Sequence, residues 1–272
     1  MPLSDFERDG LIAAVRDAAR LDIMPRFRRL GAGDVDTKTD ASDLVTVADR
    51  SAEQRISAAV RRLMPDAAIV GEEAVFEDPS VLDRVRASGR VVIIDPVDGT
   101  WNFASGIAVF GVILAVIEDG ETRFGLLYDP VMDDWIMAEK GGGAWFCSPG
   151  DAPLRLAGTP PRARAKAHAF VPLFLYPVAD RPRIAAQFPQ WGRVTSLRCS
   201  CHEYRTLAFG HADMIAAPVP KPWDHAAGVL VVQESGGAAR ASGPGYDITD
   251  TATTLTVIAN GIGDHGWHSG FR

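Results

Sequence analysis

The sequence has little cysteine. Only three of its 272 residues are cysteines, namely Cys147, Cys199 and Cys201. Three thiols cannot form a disulfide framework in a chain of this length, so we expect a reducing, cytoplasmic location. Cys199 and Cys201 form a Cys-x-Cys pair, which is a weak metal-binding signal, and we interpret both as thiols of the core or of a pocket wall.

Long hydrophobic runs and an excess of basic residues are also absent. A transmembrane helix requires an apolar run of about 18 residues, and the sequence has none of that length. The first residues lack the basic segment and the apolar segment of a signal peptide. The formal net charge is −7. This charge argues against a nucleic-acid partner and fits a metal-binding or small-molecule enzyme.

The composition is that of an ordinary globular protein, with 47% hydrophobic and 23% charged residues. Ser4 and Glu7 have the spacing of a capping box, which predicts a helix that ends near Pro25. A second amphipathic helix is predicted from near Thr46 to about Met64. The polar, glycine-containing stretch between them, residues 31–43, is predicted to be a loop.

Strands are predicted at 67–70 and 91–94, and an antiparallel meander at 111–140, where Asp-Gly and Asp-Pro turns separate apolar runs. Further strands and helices alternate towards the carboxyl end. The pattern predicts an α+β (mixed α/β) fold in layers, because each sheet must bury both of its faces.

The glycine-rich segments 141–145 and 148–153 predict a loop-rich boundary. We therefore divide the chain into an N-terminal α+β region, residues 1–147, and a C-terminal α/β region, residues 148–272. The first would carry most metal ligands, and the second would carry Asp224 and the substrate-specificity segment.

The stretch IIDPVDGTWNF holds two acids close together after an apolar run. A type I turn beginning at Asp95 would bring Asp95 and Asp98 to one side, where two carboxylates need a cation or a shared proton. Hard divalent cations also accept backbone carbonyls such as that of Val97. Gly99 permits close approach of a phosphate, and Thr100 supplies a hydroxyl. A plain surface turn is the alternative.

Three other segments add acids. Glu72 follows a predicted strand in GEE, Asp224 begins an apolar helix in PWDHAAG, and Asp49 falls in the first turn of the second helix. Asp224 and Asp49 each have a simple structural explanation, since acids are common at helix N-termini, and GEE alone is a weak signal.

The combination of GEE, DPVDGTWNF and PWDHAAG, in this order, resembles the inositol monophosphatase family. The resemblance covers nearly the whole chain. It implies a metal-dependent, lithium-sensitive phosphatase with a layered α/β/α/β/α sandwich of the inositol monophosphatase and fructose-1,6-bisphosphatase type, usually a homodimer.

The resemblance implies two or three Mg²⁺ ions. The side chains of Glu72 and Asp95 and the carbonyl of Val97 would bind the first, and Asp95, Asp98 and Asp224 would bind the second. A third ion would share Glu72. Two cations about 3.5–4 Å apart can hold the attacking and leaving oxygens of a phosphate ester in line.

The resemblance also implies the catalytic residues. Thr100, paired with Asp49, would orient and deprotonate the attacking water, and Glu73 would be a second acid near that water. Lys38 aligns with a loop lysine near the active site.

The sequence departs from the inositol-selective pattern, which has a glutamate where this chain has Ala217. Lys221 resembles the histidinol-phosphate branch, although it would equally fit a solvated loop. The run at 198–205 supplies either specificity residues or a salt-bridged helix start, through Arg198, His202, Glu203 and Arg205. The expected substrate contacts are Asp98, Gly99, Thr100, Arg198, Ser200 and Lys221.

The leading hypothesis is therefore an Mg²⁺-dependent phosphoric monoester hydrolase, similar to inositol-1-monophosphatase, that acts on a small phosphorylated metabolite. Histidinol phosphate and fructose 1,6-bisphosphate are alternative substrates. Two other classes stay open: a protein that binds the transcription machinery, similar to the extragenic suppressors of this family, and a metal-binding structural domain.

Overall fold

The computed structural model describes residues 3–31, 33–39, 43–86, 89–158, 160, 162–240 and 246–259. Within these ranges, no helix is long and apolar enough to cross a membrane.

The helices follow the predicted capping signals. Ser4 and Glu7 form the expected capping box, and Thr46 forms a second one with Asp49. The first helix continues as a π-helical turn, Ala19–Ile23. The α-helices are α1 Asp5–Ala18, α2 Val47–Leu63, α3 Glu72–Glu77, α4 Thr100–Ala104, α5 Arg181–Ala185, α6 Ser200–Ala208 and α7 Pro222–Glu234. Short 3₁₀ helices span Pro79–Arg86, Arg164–Lys166, Leu173–Leu175 and Phe188–Gln190.

The strands form three sheets. They are β1 Val35–Thr37, β2 Leu44–Thr46, β3 Ala68–Gly71, β4 Arg90–Asp98, β5 Gly111–Glu118, β6 Glu121–Asp129, β7 Asp134–Glu139, β8 Gly143–Cys147, β9 Leu154–Leu156, β10 His168–Phe170, β11 Arg193–Thr195, β12 Met214–Ala217, β13 Ala238–Arg240 and β14 Leu255–Ile258.

The larger sheet has seven strands in the order β3-β4-β5-β6-β7-β8-β9. Its strands β3 and β4 are parallel, and the neighbouring pairs from β4 to β9 are antiparallel. The predicted meander is confirmed. A second sheet has the order β11-β10-β12-β14-β13, and β1 pairs with β2 in a small hairpin.

The layers alternate as the family resemblance implies. One face of the seven-stranded sheet packs against α1 and α2, with Leu11 and Ile56 buried against Ile94. The other face packs on α6 and α7, which also contact the five-stranded sheet. A third cluster, with Ile184 of α5, covers the outer face of that sheet. The α/β/α/β/α sandwich is confirmed.

Two local predictions are wrong. The stretch 31–43 is not entirely loop, because residues 35–37 form β1 and pair with β2; residues 32 and 40–42 lie outside the described residues. Part of the stretch 141–145 belongs to β8, because Ala144 and its neighbours pair with β7. The seven-stranded sheet therefore extends past residue 147 to β9, and the division at 147/148 stays a prediction.

Candidate active site

Three carboxylates from distant parts of the chain converge at one end of the seven-stranded sheet. Asp95 and Asp98 lie at the carboxyl end of β4, and Asp224 lies in the first turn of α7, whose N-cap position is Lys221. One oxygen from each of the three carboxylates lies within 4.8 Å of the others. Among the described residues this is the one such cluster of potential metal-binding side chains.

The predicted type I turn at Asp95 is wrong, but Asp95 and Asp98 do lie close together as that turn predicted. Residues 95–98 continue β4, and the pairing with β5 shifts register between Asp95 and Asp98. An irregularity of this kind changes the alternation of side chains along a strand. The Val97 amide donates to Asp95 Oδ1 over 3.1 Å, which holds that carboxylate in place at the register shift in β4.

Asp98 is held from the other side by the start of α6. The Cys201 amide donates to Asp98 Oδ2 over 2.5 Å, and the Cys199 thiol donates to the same oxygen over 3.0 Å. The Ser200 amide also interacts with this carboxylate. Both cysteines are buried, as predicted, but no local sequence pattern indicates that they position Asp98.

Burial and mutual repulsion disfavour the charged forms of the three acids. Burial raises the pKa of Asp98 to about 6 and that of Asp224 to about 7. Burial, together with Glu72, Asp98 and Asp224, raises the pKa of Asp95 well above its ordinary value. A divalent cation would remove this penalty, and an all-oxygen set of ligands suits Mg²⁺. The residues therefore fit a hard divalent cation.

Glu72 and Glu73 lie in the first turn of α3, beside the cluster of three carboxylates. Both accept hydrogen bonds from the side chain of Lys38. The Lys38 ammonium donates to Glu72 Oε1 and to Glu73 Oε1, each over 2.8 Å. Burial raises the pKa of Glu73 to about 8, with a further contribution from Glu72. Burial alone would lower the pKa of Lys38, but the two glutamates raise it above its ordinary value. Glu72 lies outside the group of three carboxylates, and its expected role as a metal ligand stays a prediction.

Thr100 and Asp49, which are 51 positions apart, are brought together. Thr100 Oγ1 lies 3.1 Å from Asp49 Oδ1 and 2.9 Å from the Val97 carbonyl oxygen, so its proton can be donated to either. Asp49 is buried in the first turn of α2, where the Thr46 amide donates to its other oxygen over 2.8 Å. Burial raises the pKa of Asp49 to about 6. An aspartate with this pKa can accept a proton near neutral pH.

Gly99 links β4 to α4 in a conformation that needs glycine. Its φ is +86°, and a Cβ would lie 3.0 Å from the Val109 carbonyl oxygen and 3.2 Å from Cys199 Cβ. Gly99 and Thr100 both line the cavity described next.

A cavity of about 180 Å³ opens in front of these groups. Arg198 is the one Arg or Lys among its described lining residues. Its guanidinium carbon lies 4.1 Å from the ring centre of Trp101 and 4.9 Å from that of Phe174. Trp101 therefore contributes to the pocket wall, whereas the nearby Phe103 and Phe110 are fully buried in the core.

The expected specificity residues divide into two groups. Arg198, Ser200 and Glu203 line the cavity. His202 instead bonds the Phe110 carbonyl oxygen, and Arg205 bonds the Leu127 carbonyl oxygen, so these two serve the interior.

Lys221 is not among the described residues that line the cavity. Burial lowers its pKa, but the negative charge of Asp224 raises the pKa above its ordinary value. Part of the cavity wall is apolar. It includes Ile215 and Ala217, both buried, and position 217 is the one at which the sequence departs from the inositol-selective pattern.

Known proteins that resemble this chain include phosphatases of one family. The model of the inositol monophosphatase family matches residues 7–266. The fructose-1,6-bisphosphatase/inositol-1-monophosphatase of Thermotoga maritima is 30% identical over 208 residues, 75% of this chain and 73% of its own. The Nus factor SuhB of Pseudomonas aeruginosa is 32% identical over 230 residues, 83% and 82% of the two chains.

The solved structures agree. An inositol monophosphatase from Thermotoga maritima superposes with a TM-score of 0.78 at 27% identity, over 95% of this chain and 94% of the other. Since the family model covers nearly the whole chain and the curated relatives reach 30% identity over most of their length, this chain belongs to the inositol monophosphatase family and is a phosphatase that hydrolyses phosphate monoesters.

Proposed function

We propose that this protein hydrolyses the phosphate ester of a small phosphorylated metabolite and that the reaction requires Mg²⁺. The observation that carries the proposal is the convergence of three carboxylates, the buried Asp95 and Asp98 and the partly buried Asp224, beside the hydrogen-bonded pair of Thr100 and Asp49. Three carboxylates this close together repel one another unless a cation lies between them.

Two or three Mg²⁺ ions are the proposed cofactors. Asp95, Asp98 and Asp224 would hold one of them, and Glu72, Asp95 and the Val97 carbonyl would hold another, with Glu72 shared if a third binds. When bound, such cations neutralise the charge of the phosphate and lower the pKa of water.

The chain's own groups move the proton. Thr100 would accept a hydrogen bond from the attacking water while its hydroxyl donates to Asp49, and the 3.1 Å between Thr100 Oγ1 and Asp49 Oδ1 supports this role. Proton transfer from water through Thr100 to Asp49 would leave the aspartate protonated, which its raised pKa of about 6 favours. Glu73, held by Lys38, is proposed as a second acid on the same side.

The leaving alcohol is proposed to lie between Arg198 and the apolar wall at Ala217, with Gly99, Ser200 and Asp98 facing the phosphate. Arg198 favours a substrate whose alcohol carries a further anionic or polar group. The alanine at 217 removes one acceptor for a sugar or inositol hydroxyl, so inositol monophosphate is one candidate beside fructose 1,6-bisphosphate and histidinol phosphate. Lys221, which interacts electrostatically with Asp224 but is not among the described residues that line the cavity, is proposed as a contact for histidinol phosphate once that substrate is bound.

A phosphate-release screen tests the proposal. The purified protein is incubated with a panel of phosphorylated metabolites, once in excess Mg²⁺ and once in EDTA. We expect Mg²⁺-dependent release from at least one monoester, abolished in Asp95→Asn and retained in Asp151→Asn, which changes an exposed loop acid. Release that persists in EDTA, or in Asp95→Asn, contradicts the assignment. We also expect Li⁺ to inhibit.

A second function is supported by the similarity to a Nus factor SuhB. In that case the protein would bind the transcription machinery, and Asp95→Asn would retain binding to RNA polymerase while it loses phosphatase activity. Retention of the polymerase on immobilised wild type and on Asp95→Asn would support this function, and its absence from both would exclude it.

We further propose a cytoplasmic homodimer. Sedimentation equilibrium decides between a species of twice 29.2 kDa and a monomer.

A further inference from the structure

The helix that carries Glu72 and Glu73 begins without a cap of its own. Its N-cap residue is Gly71, which has no side chain to accept hydrogen bonds from the first turn. The first amide groups of any α-helix lack partners within the helix and need acceptors from elsewhere.

A carboxylate from another helix supplies these acceptors. Glu53 Oε2 accepts from the Glu73 amide over 2.8 Å, and Glu53 Oε1 accepts from the Ala74 amide over 3.0 Å. Glu53 is buried and lies one helical turn after Asp49 on α2. One helix therefore holds both the acid beside Thr100 and the cap of α3.

Gly71 leaves room for the Glu53 carboxylate. A Cβ at position 71 would lie 2.2–2.4 Å from the three carboxylate atoms of Glu53, which is closer than any real packing contact. The Glu53 carboxylate occupies the space that a side chain at 71 would need. A side chain at position 71 would therefore have to displace the Glu53 carboxylate from the two amides that it accepts from.

We propose that Glu53 is a positioning residue for the metal site. It fixes the first turn of α3 so that Glu72 and Glu73 meet Lys38 and face the carboxylate cluster, and Gly71 makes room for it. Its importance for activity rests on the proposed function, because it acts through groups that would bind the cation and the attacking water.

Four variants test the proposal: Glu53→Ala, Glu53→Gln, Gly71→Ala and the double variant Glu53→Ala/Gly71→Ala. Mg²⁺ binding is measured by calorimetry and by the concentration that gives half-maximal phosphate release. We expect Glu53→Ala to weaken Mg²⁺ binding about tenfold or more, as is typical when a side chain that orients a ligand is lost. Glu53→Gln should weaken it less, because its amide oxygen can still accept one of the two bonds.

The double variant separates the contact from general damage. Gly71→Ala alone should weaken Mg²⁺ binding, because the added methyl group displaces the Glu53 carboxylate. Removal of that carboxylate makes room for the methyl group, so the double variant should bind Mg²⁺ about as well as Glu53→Ala alone. If the double variant instead loses Mg²⁺ affinity by the product of the two single losses, Glu53 and Gly71 act independently and the proposal is wrong.

Ser4→Ala is the matched control, because it removes a helix cap far from the site: the Ser4 hydroxyl accepts from the Glu7 amide at the start of α1. We expect it to lower thermal stability without changing the Mg²⁺ affinity. If Glu53→Ala behaves in the same way, Glu53 is only a structural cap and the inference is wrong.

Hydrogen exchange in the metal-free protein gives a readout that needs no catalysis. The Glu73 and Ala74 amides should exchange faster in Glu53→Ala than in the wild type, and at the wild-type rate in Ser4→Ala. Unchanged exchange overturns the proposal even if the phosphatase is active. A wild type that binds no Mg²⁺ refutes the proposed function instead, and the exchange rates still decide the role of Glu53.

Discussion

Replacing Asp98 with asparagine removes one negative charge from the carboxylate cluster while keeping the shape of the side chain. The asparagine oxygen can still accept the Cys201 amide. If the acids are held together against their repulsion, the metal-free variant should be more stable than the metal-free wild type. Function and stability would then oppose each other at this position.

The magnitude follows from the pKa of Asp98. Its ordinary value is 3.8, and burial raises it to about 6 in the folded protein. Each unit of difference corresponds to about 1.4 kcal/mol, so the ionised carboxylate costs the fold up to about 3 kcal/mol. For a chain of this size, in which 1 kcal/mol corresponds to about 2–4 °C, we expect asparagine to raise the melting temperature of the metal-free protein by up to about 6–12 °C at pH 8.

The pH dependence has a definite sign. Between about pH 4 and 6 the unfolded chain has released the Asp98 proton while the folded protein still holds it, so the wild type loses stability as pH rises through this window. The advantage of the variant should therefore be small near pH 4, grow to about pH 6, and stay constant above it. Addition of Mg²⁺ should reverse the order, because the ion stabilises the wild type more.

Thermal and urea unfolding in EDTA at several pH values measure this effect. Asp213→Asn is the matched control: Asp213 is also a fully buried acid, but Arg162 and the His168 amide donate to it, so its neutralisation should lower stability. If Asp98→Asn is no more stable than the wild type at pH 8 without metal, the buried, ionised Asp98 carboxylate does not lower the stability of the fold and the reasoning is refuted.

Three further predictions follow from the site. Thr100→Ala should lower kcat by about 10²–10⁴ with little change in Mg²⁺ affinity, because it breaks the link to Asp49; a loss of affinity alone would argue against proton transfer. Lys38→Met should lower the metal-free unfolding free energy by about 3 kcal/mol, because Glu72 and Glu73 lose their shared cation; an unchanged melting temperature in EDTA would contradict this. Arg198→Ala should raise KM about tenfold for substrates with a second anionic group and leave kcat nearly unchanged, which initial-rate kinetics would show; equal effects on uncharged alcohols would count against a role in recognition.

Much of the fold could be predicted, because its signals are local. The capping box at Ser4, the apolar face of α2 and the turns of the meander each act within a few residues, and all three are confirmed. The hairpin of β1 and β2 was missed because a three-residue polar strand has no periodicity of its own and is defined by its partner. The strand β8 was missed because glycine-rich sequence at its start indicated a loop.

The site could be predicted only as a set of acids. The spacing of Asp95 and Asp98 indicated convergence, although the strand irregularity that produces it differs from the predicted turn. The contacts of Asp98 with Cys199 and Cys201 depend on the docking of α6 against β4, which no local pattern encodes. The cap that Glu53 provides is likewise a contact between two helices, and on the sequence alone Glu53 is an ordinary helix acid.

Diffraction from crystals soaked in Mn²⁺, which substitutes for Mg²⁺ and scatters anomalously, tests the central claim most directly. We expect an anomalous peak at coordination distance from the carboxylates of Asp95, Asp98 and Asp224, and its loss in crystals of Asp95→Asn. A map with no peak among these three side chains, at Mn²⁺ concentrations that support phosphate release, would contradict the account.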